Sequence, residues 1–345
     1  MSDQAKKPVI SLKTIKDFSL QYAIYIVFVV LVLVITIQQP SFLSLNNFRN
    51  ILSMSATRVI FAMGMAAVLI TGGVDLSCGR MVGLAAVLSA SMLQAADYSR
   101  RMYPDLPVLP LIVPILIAMV ATGIFGFLNG LFVTKLKVPA FIGTLGTMVA
   151  VYGTVSLYFD RPPYGAQPIG GIDRRFATLG TGYIGFDGVY SIPYIVIIAA
   201  VIAFVTWILF NKTTYGKNIY AIGGNAEAAR VSGVNVNSTL IIVYTIAGVL
   251  YGLGGSLEAA RTGGATNNYG NGYELDAIAA CVVGGVSNLG GIGTVPGAVI
   301  GVLIFSVINY GLTFINMSPY WQQIVKGAII IAAVALDIRK YLTKR

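Results

Sequence analysis

Three carboxylates stand inside an otherwise apolar chain: Asp75 in "TGGVDLSCG", and Glu274 and Asp276 in "YELDAIAACVVGG". Taking a carboxylate out of water costs several kcal/mol unless it is paired or hydrated. Two readings are open for each. Asp75 could accept amide hydrogens at a helix start and lock a loop. Glu274 and Asp276 could complement the positive end of a helix dipole. Alternatively, all three border a polar pathway or gate. Directly ahead of the second pair runs "RTGGATNNYGNGYELD" (261–276), where Asn267, Asn268 and Tyr269 combine amides with an aromatic face. Sugar recognition uses those groups, as hydrogen bonding plus apolar stacking. The same residues are also ordinary loop formers.

Bond-making chemistry has little to work with. There is no histidine, and the two cysteines, Cys78 and Cys281, lie in or beside apolar segments. A disulfide framework and a Cys/His metal site are excluded, and so are the usual triads. No G-x-x-x-x-G-K-[ST] phosphate loop occurs, since "YGKN" lacks both the spacing and the hydroxyl. No catalytic residue, no metal and no cofactor is expected. The chain reads as a non-enzyme without its own ATPase site.

The elements that must position these residues are membrane helices. Of 345 residues, 56% are hydrophobic and 10% charged, against about 25% charged in soluble domains. The fold class is an all-α integral membrane protein. A span needs about 20 apolar residues, and candidates lie near 20–38, 51–71, 81–96, 108–133, 139–158, 191–210, 238–257, 274–288, 294–315 and 320–337. These make a polytopic bundle of about ten transmembrane helices in one domain, 1–345. The second, third and eighth are interrupted or short, and are expected to be broken or re-entrant. The basic N-terminus precedes a run too long for a signal peptide and without a cleavage site, so it reads as a first span that stays.

Net charge is +10, but the basic residues cluster between spans, which argues for topology rather than nucleic acid. With the N-terminus inside, fourteen Lys and Arg fall inside, Arg80, Lys135, Lys212 and Lys344 among them, and seven outside, including Arg100, Arg174 and Arg261. Both termini are then cytoplasmic. A cytoplasmic loop spans 211–236 and an outer, periplasmic loop 159–190. A weak echo relates 72–87 to 284–299. Small-xxx-small pairs, such as Gly79/Gly83 and Gly126/Gly130, allow close helix contact.

Within the cytoplasmic loop, "YGKNIYAIGGNAEAARVSGVNV" promises a two-turn helix. Asn225 is its cap, Glu227 suits its dipole, and Gly233 stops it. Ala226, Ala229 and Gly233 leave one side nearly bare, as a partner's groove would need. Two turns are unstable alone in water, so this helix must rest on something.

That stretch resembles the cytoplasmic loop of permease subunits of bacterial sugar ABC importers, of the ribose/galactose/xylose type. "LITGGVDLSCGRMVGLAAV" and "ELDAIAACVVGGVSNLGGIGTVPGAVIG" resemble the first-half and second-half signatures of that family. The likeness runs over nearly the whole chain, and two segments look closest to its galactose/methyl-galactoside members. The resemblance implies a homodimer in the bacterial inner membrane that works by alternating access. Its implied partners are two cytoplasmic ATPase subunits or one fused subunit, a periplasmic sugar-binding protein and membrane lipid. By position it assigns Gly223, Gly224, Asn225, Glu227, Ala228, Ala229, Arg230, Ser232 and Gly233 to the ATPase-contacting loop. Asp75, Asn267, Asn268, Tyr269, Glu274 and Asp276 are the candidates for the substrate path. A permease for ribose, xylose or another sugar and an ion-coupled secondary transporter are the rival readings. A non-transporting membrane scaffold is a third.

Overall fold

Without water to bond the backbone, apolar runs satisfy their own amides by forming helices. The structure, a computed structural model, describes residues 23–161, 165–185 and 191–342. Lys6, Lys7, Lys13 and Lys16, parts of the outer loop at 162–164 and 186–190, and Lys344 and Arg345 lie outside the described residues. The helices are α1 (Ala23–Gln38), α2 (Leu45–Ile70), α3 (Cys78–Met92), α4 (Ile112–Thr134), α5 (Ala140–Phe159), α6 (Arg174–Thr181) and α7 (Tyr194–Lys212). They continue with α8 (Thr214–Gly224), α9 (Ala226–Val231), α10 (Val236–Thr262), α11 (Tyr273–Val283), α12 (Val295–Phe314) and α13 (Pro319–Leu342). Among the described residues the only strands are a two-residue antiparallel pair, β1 (Tyr183–Ile184) with β2 (Ile192–Pro193), accompanied by two isolated bridges, Gln94 to Ile172 and Ile169 to Ala265.

The chain forms two compact units. One comprises the stretch up to Phe42 and that from Ile308 onward; the other is Leu43–Val307. In the first, Phe42 packs on the rings of Tyr310 and Phe314 at 6.3 and 5.6 Å. The second is organised about α10, which packs against α2, α3, α4 and α6. Glycine pairs permit this packing. Gly126 and Gly130 of α4 admit the backbone of α10 at Tyr244 and Ile241, while Gly248 and Gly252 of α10 face Thr122 and Met119.

Six helices among the described residues are long and apolar enough to cross a bilayer: α2, α4, α5, α7, α10 and α12. The expected interruption of the second span is corrected. Helix α2 is continuous over 26 residues, started by the Ser44 side chain, which accepts the Asn47 amide. Arg58 does not break it, because its guanidinium lies over the Tyr273 ring, 5.8 Å from the centroid. The third and eighth elements are short. Helix α3 has 15 residues and α11 only 11, so α11 rises about 16 Å, roughly half the hydrocarbon thickness.

The segment 261–276, ahead of α11, folds back against the helices. Helix α10 closes on Gly263 in the left-handed region, and Ala265 bridges to Ile169 of the 159–190 loop. The chain then descends along α3, with the carbonyls of Tyr269 and Gly270 against Gly83 and Gly79. These glycines lie nine and thirteen residues before Met92, about 14 and 20 Å along the helix. A side chain at either would collide with the descending backbone. The segment is therefore re-entrant, and α11 starts beside the first turn of α3.

At the far end from Gly263, two glycine-rich turns, 71–77 and 284–294, meet. They are the two sides of the sequence echo. Gly291 donates its amide to the carbonyl of Ile70 at 2.8 Å, and Gly223 of α8 packs on the same backbone pair. Tyr220 fastens α8 there by donating to Gly293 O at 2.8 Å.

Candidate functional site

Four polar constellations bear on function. The first gathers at the re-entrant segment. Arg80, in the first turn of α3, donates from Nη2 to Asn271 Oδ1 at 2.8 Å and from Nη1 to Asn268 Oδ1 at 3.4 Å. Its guanidinium lies 4.3 Å over the ring centre of Tyr152 on α5. Asn267 donates to Ser156 Oγ of α5 at 3.4 Å. Arg80 is thus bonded to the segment between α10 and α11 and does not stand as a free loop charge. Tyr269 points elsewhere, donating to Thr262 Oγ1 at 2.8 Å. Glu274 and Asp276 both stand in the first turn of α11, where the helix dipole favours them.

The second constellation holds Asp75. It does not cap α3, whose N-cap Ser77 makes no side-chain cap bond. Instead Asp75 Oδ1 accepts the amide and hydroxyl of Ser77 and fixes the turn ahead of the helix. Asn129 of α4 donates to Ser77 Oγ at 2.9 Å, and Thr147 of α5 donates to Asn129 Oδ1 at 2.6 Å. Asp75, Ser77, Asn129 and Thr147 are all buried. Asp75 thus shares no hydrogen bond with the amides around Arg80 and belongs to a buried network joining the turn before α3 with α4 and α5, its Oδ2 left without a partner among the described residues.

The third has at its centre Glu258, which the sequence reading did not single out. It sits in the last turns of α10 with 0% exposure. Oε2 accepts from Thr57 Oγ1 at 2.7 Å and Arg261 Nε at 2.8 Å. Oε1 accepts from Arg261 Nη2 at 2.8 Å and Tyr273 Oη at 3.3 Å. The group ties α2, α10 and α11 together. The Glu258/Arg261 spacing of three, at the end of an apolar run, was the available signal. The Thr57 and Tyr273 contributions had none.

The fourth is the cytoplasmic loop. Asn225 Oδ1 accepts the Ala228 amide at 2.9 Å, and Gly233 ends α9 at φ +88° with its amide on Arg230 O. One expectation fails here: Ala229 is 4% exposed and faces inward against Ile222 and Val236, with Ala226, Val234 and Leu240 around them. A helix this short is held by that apolar contact, so its alanine stripe is already occupied. Outward stand Ala228, Ser232 and the Glu227–Arg230 pair at 2.6 Å, beside Val231, 90% exposed. Gly223 is committed to α2 and the 284–294 turn, as described above, while Gly224 is exposed with open space beside it.

In the 159–190 loop, Asp173 caps α6 by accepting the Arg175 amide at 2.8 Å. A side-chain bond from the same arginine holds the Asp173 carboxyl below the usual carboxylate range. Nearby, a cavity of about 150 Å³ is lined by Gln94, Tyr98, Arg100, Arg161 and Gln167, among others.

A family profile described as "Branched-chain amino acid transport system / permease component" matches residues 47–334. The chain is 51% identical over 322 residues to the galactose/methyl galactoside import permease protein MglC of Escherichia coli (strain K12), covering 93% of this chain and 95% of that one. It is 52% identical over 332 residues to the protein of the same name from Haemophilus influenzae, covering 96% and 98%. The ribose import permease protein RbsC of Bacillus subtilis (strain 168) is 38% identical over 313 residues, with 90% of each chain covered. No solved structure matches the chain.

Proposed function

This chain belongs to the family of permease components typified by branched-chain amino acid transport systems, and we propose that it is the membrane subunit of an ATP-driven importer of galactose and methyl galactoside. One observation carries the sugar assignment. Identity over nearly the full chain is 51–52% to two galactose/methyl galactoside permeases, against 38% to a ribose permease. The subunit transports and makes no covalent bond. It resides in the bacterial inner membrane, and its partners are a cytoplasmic ATPase and a periplasmic sugar-binding protein.

The finer reading is ten passes with both termini cytoplasmic, 211–236 as coupling loop, 159–190 as periplasmic loop, and a homodimer enclosing the path. Charge asymmetry supports the orientation. Under it, α9 is where the ATPase pushes, through Glu227, Ala228, Arg230, Val231 and Ser232. The load has a defined route. Helix α9 rests on Ile222 of α8. Helix α8 is fixed at Gly223 and Tyr220 to the end of α2 and to the turn before α12. Displacing α9 therefore displaces both glycine-rich turns, and with them the bases of α3 and α12. That is a means of opening one side while closing the other. Asn267 and Asn268 border the sugar path in this reading, and replacing both by alanine lowers transport while the ATPase still copurifies.

The test of the sugar is competition. The permease is reconstituted with the ATPase and binding protein of its own organism, and labelled galactose uptake is challenged with unlabelled sugars. Galactose and methyl galactoside compete at least tenfold better than ribose. Stronger competition by ribose overturns the assignment.

A further inference from the structure

The Arg80 cluster sits at a depth where lipid cannot solvate it. Tyr152 lies twelve residues after the start of α5 and seven before its end, hence in its middle. It is 40% exposed and carries the Arg80 guanidinium on its ring. Asn268 and Asn271, which accept from Arg80, are exposed on the same side. Their amide NH₂ groups have no partner among the described residues. Around them α5 is otherwise apolar and exposed, at Phe141, Ile142, Leu145, Val149 and Leu157. Arginine at the centre of a membrane is among the costliest placements, and it is found facing cavities or partners rather than acyl chains. This patch therefore faces water.

Its chemistry narrows the ligand. Guanidinium and amide groups supply donors and acceptors to hydroxyls, and a tyrosine ring supplies an apolar face of sugar size. Glu274 is 9% exposed, with Oε2 buried and unpartnered among the described residues. Its Oε2 lies against Gly79, the residue before Arg80. The arginine is then no isolated cation seeking an anion. We infer that Arg80, Tyr152, Asn268 and Asn271 form a binding site for a neutral monosaccharide on the water-filled path of the permease. This rests on the sugar-importer reading above, and adds Arg80, Tyr152 and Asn271 to the residues that touch cargo.

The experiment has two arms on the complete complex, permease with ATPase and binding protein. In the first, Arg80→Met and Tyr152→Ala each lower galactose uptake at least tenfold with the ATPase still bound. Tyr152→Ala also narrows the preference for galactose over ribose in competition. In the second, Tyr152→Cys is labelled by a charged, membrane-impermeant thiol reagent and is protected by galactose during turnover. Phe204→Cys, on the exposed apolar side of α7, stays unlabelled. Uptake within twofold of wild type in both first-arm variants overturns the inference. So does a Tyr152→Cys protein as inert as Phe204→Cys, or labelled without galactose protection. If the wild-type complex carries another sugar in place of galactose, the proposed cargo falls. The same labelling and protection, read with the sugar it does carry, then decides the site.

Discussion

Two arginine clusters lie near the re-entrant segment, and they are finished differently. Around Glu258, both carboxylate oxygens accept two hydrogen bonds, and Thr57, Arg261 and Tyr273 bring three helices onto one buried charge. Around Arg80, two exposed asparagines accept from the guanidinium and keep their own donors unspent. A buried charge with every lone pair met fixes geometry, and losing one partner is expensive. A half-satisfied polar group at an exposed face has little to lose in the folded chain and is available to a ligand. The first cluster holds the helices; the second is placed to be used.

Mutation should separate the two. Glu258→Ala leaves Arg261 without its carboxylate and the Thr57 and Tyr273 hydroxyls without their acceptor. A loss of roughly 3–5 kcal/mol follows, seen as a large drop in the thermal midpoint of the purified permease. A midpoint unchanged within a few degrees would remove the distinction. The closed and open sides of α9 give the next contrast. Ala229→Trp forces volume into the contact with Ile222 and Val236, costing about 1–3 kcal/mol, and lowers the midpoint before any partner is added. Val231→Asp, on the outward side, leaves the midpoint in place and weakens ATPase copurification. If both behaved alike, α9 would have no inner and outer face.

Smaller still is the cap of α6. Asp173→Ala removes the bond to the Arg175 amide and costs about 1 kcal/mol. Because Arg175 depresses the Asp173 carboxyl, its contribution is complete above the ordinary carboxylate range, near pH 4. It is lost only as pH falls through the lower folded value. Wild type and Asp173→Ala should therefore differ by a constant amount from pH 7 to 5 and converge only below about 4. The smallest stability effect is that of Asn268→Ala. Its side chain is exposed to water, so stability should change by no more than about 0.5 kcal/mol.

What the sequence told, and what it withheld, follows the range of the interactions. Helices were legible because apolar runs must close their own backbone bonds. The Asn225 cap and Gly233 stop were legible because both act within three residues. Ala229 was assigned the wrong direction. A small residue permits close approach, but the sequence does not say whether the approach comes from this chain or another. The descent of 264–272 was hidden because its cause is on α3, at Gly79 and Gly83, nearly two hundred residues earlier. The hydrogen bonds of Arg80 to Asn268 and Asn271 were hidden for the same reason. Glu258 escaped notice as one carboxylate at the end of a span, although Arg261 three residues on was a readable partner.

The central claim is that ATP hydrolysed by a separate subunit moves sugar through this chain. Right-side-out vesicles holding the complex, with the sugar-binding protein outside, test it directly. Labelled galactose should accumulate when ATP is enclosed and the proton and sodium gradients are collapsed, and should not when only the gradients are present. Accumulation driven by a gradient without ATP would contradict the account.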